Sequence, residues 1–455
     1  VRRLRALGVR DGSVVALLGR NVPEYPLLVC GILAAGGAVT PVNPYFHAHE
    51  MATQLAATGA GLLVADASLA EAARTAAAGS AVGRIAVFDG SLDLPEIAFA
   101  GGRRAEPSEG AEPGDALLAW SVGPGGLPAP ARHTHASLSA ALLGLAAVAP
   151  WSEDDVVYSA ISPYDLYGLV ATLALALYSG LTAVTAARFD VPSFADTVRR
   201  WGVTVSNVVP TIVRALAGAP PDVEGFGPLR LLISGGAPLA PHVARACHAR
   251  TGAAVVQGYG LAEGAGATHV DAPIGEARVT SCGRPVAGLA TRIAGPDGGA
   301  RPPGTLGELW LRGEQVFRGY RGAEAKTATA FSADGWLRTG DLAFEDAARQ
   351  LTVVGRRKPV VKVRGFQVAP AEVEAALRGH PAVRDAMVSA EWDAGSGEES
   401  AAARVVAGRD VSPSELADWL AKRVARHKRP ASITLVPELP ERGDLFYPWA
   451  APVTS

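Results

Sequence analysis

The chain has 455 residues, too many for one hydrophobic core and enough for two or three domains. Its net charge of −2 argues against a polyanion-binding protein, since nucleic-acid-binding domains carry a clear basic excess. Three scattered cysteines, Cys30, Cys247 and Cys282, exclude a disulfide framework or a cysteine-based metal cluster. Each reads as a small buried hydrophobe, and the expected compartment is the reducing cytoplasm.

No signal peptide is read at Val1, where Val-Arg-Arg-Leu-Arg leads into a helix-like stretch. Alternating apolar and amphipathic segments follow. Ser13–Leu18 predicts a strand, Pro23–Ala35 a helix, Gly37–Pro41 a strand, Ala48–Thr58 a helix and Gly61–Ala65 a strand. The same alternation returns over Val156–Ile161, Phe194–Trp201, Val203–Val208, Leu229–Ser234 and His242–Thr251. It predicts largely parallel sheets with helices on their faces. Leu27–Val39 and Leu169–Tyr178 are the longest apolar runs; both are too short to span a membrane and read as buried helices. Ala98–Asp115, rich in Gly, Pro and Glu, reads as a linker or surface loop. From Gly304 shorter strands and turns predict a β-rich subdomain. A boundary is placed near Gly355–Pro359. Beyond it Ala369–Leu377 and Pro413–Arg426 predict helices, and Ala401–Ala407 and Ala431–Val436 strands.

The most specific stretch is Gly335-Trp336-Leu337-Arg338-Thr339-Gly340-Asp341. Val354-Gly355-Arg356-Arg357-Lys358 follows, then Lys362-Val363-Arg364-Gly365-Phe366-Gln367-Val368-Ala369-Pro370. With Val42-Asn43-Pro44-Tyr45 and Gly258-Tyr259-Gly260-Leu261, this pattern resembles the adenylate-forming superfamily of acyl-CoA synthetases, aryl-CoA ligases, luciferases and adenylation domains. The resemblance runs from Leu7 to about Pro440.

It implies an α/β fold: a large N-terminal domain of parallel-rich sheets flanked by helices with a β-rich subdomain, and a small mobile α+β C-terminal domain. Residues 1–355 would form the AMP-binding large domain, N-terminally short so that a sheet edge is left incomplete, and residues 356–455 the small domain. It also implies a ligase-family enzyme that uses ATP, magnesium and coenzyme A. ATP and a carboxylate would give an acyl-adenylate; a thiol, of coenzyme A or of a carrier protein, would then take the acyl group. The partners implied are a small-molecule carboxylate or acyl thioester, with no nucleic acid and no membrane span.

By the same resemblance Asp341 would hold the ribose hydroxyls through paired hydrogen bonds. Arg356 would support ribose and phosphate, and Tyr259 would stack on adenine, with Gly260 next to it in the cofactor-binding set, beside the wall Ser234-Gly235-Gly236-Ala237-Pro238. Glu263 would ligate magnesium. Lys358 would mark the hinge, and Lys362 and Gly365 would belong to the thioester-forming face. Simpler readings stand beside these. Asp341 can be a turn residue, Glu263 a solvated carboxylate, Lys362 a surface charge on a strand, and Tyr259 a core residue.

Several positions depart from the resembled pattern. The phosphate loop reads Ser121-Val122-Gly123-Pro124-Gly125-Gly126-Leu127-Pro128-Ala129. Hydroxyls are lost at Val122, Pro124 and Gly125, and Ala129 stands where a lysine belongs. The chain has five lysines, Lys326, Lys358, Lys362, Lys422 and Lys428, so none precedes Lys326; Arg132 is the nearest cation in sequence. Ala262 replaces a threonine before Glu263. After Leu439-Pro440, Phe446 stands at the expected catalytic lysine, with Arg442 as the nearby cation. Asp165, in Tyr164-Asp165-Leu166-Tyr167-Gly168, replaces an imidazole at the acyl-pocket gate. The apolar wall Tyr164–Gly168, Val208–Pro210, Ser234–Ala237 and Gly258–Gly260 would admit an aromatic or medium acyl group. The sequence thus leaves two readings: a ligase-like enzyme with impaired or altered carboxylate activation, and a non-catalytic relative that binds a ligand or partner as a scaffold.

Overall fold

A computed structural model describes residues 1–97, 114–123, 126–149, 151–271, 280–356, 360–393, 398–440 and 447–448. Two seven-stranded sheets form the body of the large domain. In the first, Val14–Leu18 pairs in parallel with Ala38–Val42 on one side and with Leu62–Asp66 on the other. All three strands are buried along their whole length. Continuous apolar runs of this kind are what a parallel strand needs when helices cover both faces. In the second, Val205–Val208 lies between Val156–Ser159 and Leu231–Ser234, again in parallel, and Ala254–Leu261 follows beside Leu231–Ser234. Gly266–Val270 closes back antiparallel.

An antiparallel sheet of Ala290–Ala294, Gly307–Arg312, Leu337–Glu345 and Leu351–Arg356 forms the β-rich part. The smaller C-terminal domain packs helices Pro370–Arg378 and Pro413–Ala421 on strands Val383–Asp393, Glu398–Ala407 and Ser432–Leu435. This is the expected α/β class, with parallel-rich sheets and a separate α+β unit.

Local differences have physical causes. The apolar run Leu27–Val39 is not one helix. Its helix, Glu24–Ala34, ends before Gly36 at φ +94, and the run continues as strand Ala38–Val42. The left-handed turn at Gly36 suits a residue without a Cβ. Leu169–Ala174 winds as a π-helix before the α-turn Leu175–Tyr178. There Thr172 Oγ1 donates to Tyr167 O at 3.0 Å, and Asn207 Nδ2 donates to Ala171 O at 2.8 Å. Such side-chain insertions widen a helix, and they cluster at functional sites. The helix expected over Pro413–Arg426 stops at Ala421, where the chain turns into the short 3₁₀ segment Arg426–Lys428. The expectation that every cysteine is buried holds for Cys247 alone; Cys30 is exposed and Cys282 half-buried. Ala98–Pro113, most of the expected surface loop, lies outside the described residues. Among the described residues no helix is long and apolar enough to cross a membrane.

Candidate nucleotide and acyl site

Ligands in open parallel sheets gather at the carboxyl ends of the strands. Here Leu231–Ser234 delivers Gly235 and Gly236 to such an end, and Ala254–Leu261 delivers Tyr259 and Gly260. Gly260 admits no side chain, because a Cβ there would lie 1.8 Å from Gly266 O. Its register with the neighbouring strand shifts between Tyr259 and Gly260, which turns the next residues toward the phosphate loop.

Those next residues form the turn Ala262–Gly264, and Glu263 is 2% exposed. Its Oε1 accepts from Ser121 Oγ at 2.6 Å and from Tyr320 OH at 2.7 Å. A buried carboxylate needs such donors. Burial and the Glu263 charge hold the Tyr320 phenol far above its usual range, so it stays a donor. His133, also fully buried, faces Ala262 O with Nε2 at 2.7 Å. Burial pushes its pKa down to about 4, so the ring is neutral and Nε2 carries the proton that pins the turn.

Asp341 and Arg356 face each other across neighbouring strands and are 3% and 4% exposed. Arg356 Nε donates to Asp341 Oδ1 at 3.0 Å, and Tyr259 OH donates to Oδ2 at 2.6 Å. Arg356 Nη1 also holds Val360 O at 3.1 Å, at the start of the small domain. Tyr259 therefore joins the cavity wall to the Asp341–Arg356 pair.

A cavity of about 320 Å³ lies between the two domains. From the large domain it is walled by Gly235, Gly236, Tyr259 and Gly260, and deeper by Trp151, Tyr167 and His269. The small domain contributes Lys362, Gly365, Phe366 and Lys428 to the same wall. Gly365 adopts φ +87 at the tip of the hairpin Val361–Val368, where a side chain would be strained. Beside it the Phe366 ring stacks on His427 at 4.3 Å and meets Tyr45 edge-on at 6.3 Å. Lys362 N donates to Glu399 Oε2 at 2.6 Å, which fixes the hairpin on its own sheet.

The structure thus brings Gly235, Gly236, Tyr259, Gly260, Lys362 and Gly365 to one cavity. Ala237 lines a smaller neighbouring recess, with Lys362 and Gly365 on its other side. Glu263 sits beneath the phosphate loop, and Asp341 and Arg356 lie behind Tyr259. The apolar wall is present through Tyr164, Leu166, Tyr167, Val209 and Ile233. Asp165 is exposed at its rim, and its Oδ1 caps the following turn by accepting from Tyr167 N at 2.8 Å.

Arg132, the nearest cation in sequence, is engaged by Asp115. Its guanidinium forms a two-point contact with Asp115, at 3.2 Å for both bonds. Sequence reasoning missed three participants. Lys326 reaches the phosphate loop, Tyr320 bridges it to Glu263, and Lys428 joins the two domains. Only Lys326 carried a signal, as the first lysine of the chain. Pro124, Gly125, the expected hinge position Lys358, Arg442 and Phe446 lie outside the described residues.

The family model for AMP-binding enzymes matches residues 2–321, and that for the AMP-binding enzyme C-terminal domain matches residues 372–443. 4-Coumarate–CoA ligase 3 of Oryza sativa subsp. japonica is 32% identical over 96% of this chain and 82% of its own length. 4-Coumarate–CoA ligase 1 of Petroselinum crispum is 30% identical over 96% of the chain and 83% of its own. Among solved structures, the amide bond synthetase McbA of Marinactinospora thermotolerans superposes with a TM-score of 0.84 at 26% identity, covering 96% of this chain and 89% of that one. A malonyl-CoA ligase with methylmalonyl-CoA and AMP bound superposes with a TM-score of 0.78 at 28% identity, covering 94% and 90%. Matches that span both domains, on a fold with its cavity at the domain junction, show that the chain belongs to the AMP-binding enzyme family and is acyl-CoA-ligase-like within it.

Proposed function

We propose that the protein transfers an acyl group from an acyl-adenylate to a thiol, and that it forms the adenylate from ATP only slowly. The observation that carries this reading is the shared cavity. Lys362 and Gly365 of the small domain face the same space as Gly235, Gly236 and Tyr259 of the large one. A nucleotide and an acyl group lodged against the large domain would there meet the small-domain face.

In this reading the adenine lies against Gly235, Gly236 and Tyr259. The ribose hydroxyls engage Asp341, exchanging with the Tyr259 hydroxyl for its oxygen, and Arg356 keeps that carboxylate charged and oriented. A carboxylate oxygen of the substrate attacks the α-phosphorus and pyrophosphate leaves. The thiol sulfur then attacks the acyl carbon, its proton passes to solvent, and AMP leaves with the bonding electrons. Lys362 and Gly365 would guide the thiol-bearing arm of coenzyme A. The apolar wall favours an aromatic or medium-chain carboxylate.

Glu263 fits magnesium. Among the described residues no group of three His, Cys, Asp or Glu could hold a metal. Magnesium, however, is commonly held by one or two carboxylates with substrate phosphates and water. Bound there, it would neutralise charge on the phosphates.

Adenylation is the weak half. Ala129 and Phe446 stand where lysines are expected, and losing one preorganised charge contact commonly costs about 3–4 kcal/mol of transition-state stabilisation. The test supplies the purified protein either with ATP, magnesium and a carboxylate panel, or with preformed acyl-adenylates, each with coenzyme A. Thioester is followed by mass spectrometry. Thioester formed much faster from adenylates than from ATP supports the reading. Binding of adenylates without thioester from either source rejects it in favour of a non-catalytic ligand-binding scaffold.

A further inference from the structure

We propose that Lys326, on helix Glu324–Ala330, supplies the positive charge for the terminal phosphates of ATP that the phosphate loop itself lacks. This rests on the reading of the site as one that binds ATP. The loop carries no cation of its own: Ala129 is neutral, and Arg132 is paired with Asp115. No lysine occurs among the first 325 residues, and the first one that does reaches this loop.

Lys326 Nζ donates to Val122 O at 2.7 Å and to Leu127 O at 2.5 Å, on the two sides of the loop. The ammonium also lies 4.3 Å from the centre of the Tyr320 ring. That contact holds a cation on an aromatic face. Tyr320 OH in turn donates to Glu263 Oε1 at 2.7 Å. One tyrosine thus touches both an ammonium, over its ring, and a carboxylate, at its hydroxyl, next to the loop. That is the pairing a magnesium polyphosphate needs, a cation for phosphate oxygens and an oxygen ligand for the metal.

Gly123 makes this approach possible. A Cβ there would lie 2.1 Å from Tyr320 OH and 3.0 Å from Lys326 Cε. Lys326 is half-buried, so an entering phosphate would exchange with backbone carbonyls for its protons without unfolding the helix. The charge has moved from the loop to a helix packed against it, and the polyphosphate site keeps a cation.

The test is calorimetric titration of wild-type, K326M and K326R protein with ATP·Mg, inorganic pyrophosphate and AMP, with thermal unfolding of each variant. K326M is expected to weaken ATP·Mg and pyrophosphate about 10- to 100-fold, the range a hydrogen bond to a charged group is worth. AMP, which lacks the terminal phosphates, binds K326M as it binds wild type. K326R, which keeps the charge, retains more ATP affinity than K326M. An unchanged ratio of ATP to AMP affinity in K326M overturns the proposal, as does equal loss of both, which would make Lys326 a brace for the loop. Wild-type protein that binds AMP but neither ATP nor pyrophosphate overturns the ATP reading together with this one.

Discussion

Glu263 is a buried carboxylate held in place by its neighbours. Two hydroxyls donate to the same oxygen, Oε1, at 2.6 and 2.7 Å. In the E263Q variant the amide oxygen can accept from both hydroxyls, so the packing is retained while the charge is lost. The thermal midpoint is therefore expected to stay within about 4 °C of wild type, the shift that ~1 kcal/mol causes in a large domain. Magnesium-dependent tightening of ATP binding should disappear. Calorimetry with and without magnesium checks this, and a variant that keeps the magnesium effect would remove Glu263 from the metal site. Glu263, Tyr259 and Asp341 were legible in the sequence as candidates, through the family resemblance of the short motifs that hold them. Lys326 and Tyr320 were not. Lys326 meets the loop across sequence separations of 204 and 199 residues, which no local pattern encodes.

At the scale of elements, helix Ala48–Thr58 of the large domain is tied to the small domain by its first turn. Glu50 closes the capping box, its Oε2 accepting from His47 N at 2.8 Å. Its Oε1 accepts from Lys428 Nζ at 2.6 Å, and the same ammonium donates to Glu372 Oε1 at 2.6 Å. His47 and His49 add ring contacts to Val424 O at 3.1 Å and Arg423 O at 2.7 Å. Lys428 is 3% exposed, so removing it leaves two carboxylates facing a site without their cation. Breaking a buried pair costs about 3–5 kcal/mol. The lower end applies here, because the Glu372 side chain is 27% exposed and solvent screens it.

The K428M variant is thus expected to unfold at lower urea concentration. Hydrogen exchange should rise in Ala48–Thr58 and Pro370–Arg378; unchanged exchange in both helices would count against the tie. Helix Ala48–Thr58 was read from sequence with its observed ends, because its apolar period and the Gly59 stop agree. The shortening of Pro413–Arg426 was not. There the side chain of Arg429 turns back to Ala421 O and Val424 O, a tertiary choice that brings His427 and Lys428 to the domain junction.

For the whole molecule, two buried imidazoles and one half-buried at the domain junction set the response to acid. Burial pushes His133 down to about 4 and His269 to about 3, with Arg349 adding to the effect at His269. His427 lies at about 4, through burial and then the Lys428 charge, opposed by Glu50. Its ring is stacked between Phe46 at 6.0 Å and Phe366 at 4.3 Å, on the domain junction. An unfolded histidine takes its proton near 6.5, so between 6.5 and about 4 the unfolded chain binds protons that the folded one refuses. Stability is therefore full above 6.5 and falls as the pH drops, by up to about 1.4 kcal/mol per unit for each imidazole.

Asp155 acts in a different window. Its own burial opposes ionisation, but hydrogen bonds from Arg230 and Thr204 outweigh that and lower it to about 2, so its contribution is lost only below the ordinary value of 3.8. Urea midpoints should thus hold between pH 7 and 6.5 and decline from there to 4.5, while Asp155 is still ionised. H427L, which replaces the junction imidazole with an apolar side chain, should make that decline shallower. An equal slope in wild type and H427L would mean that the junction opens before His427 titrates. Acid would then separate the domains before it unfolds either one.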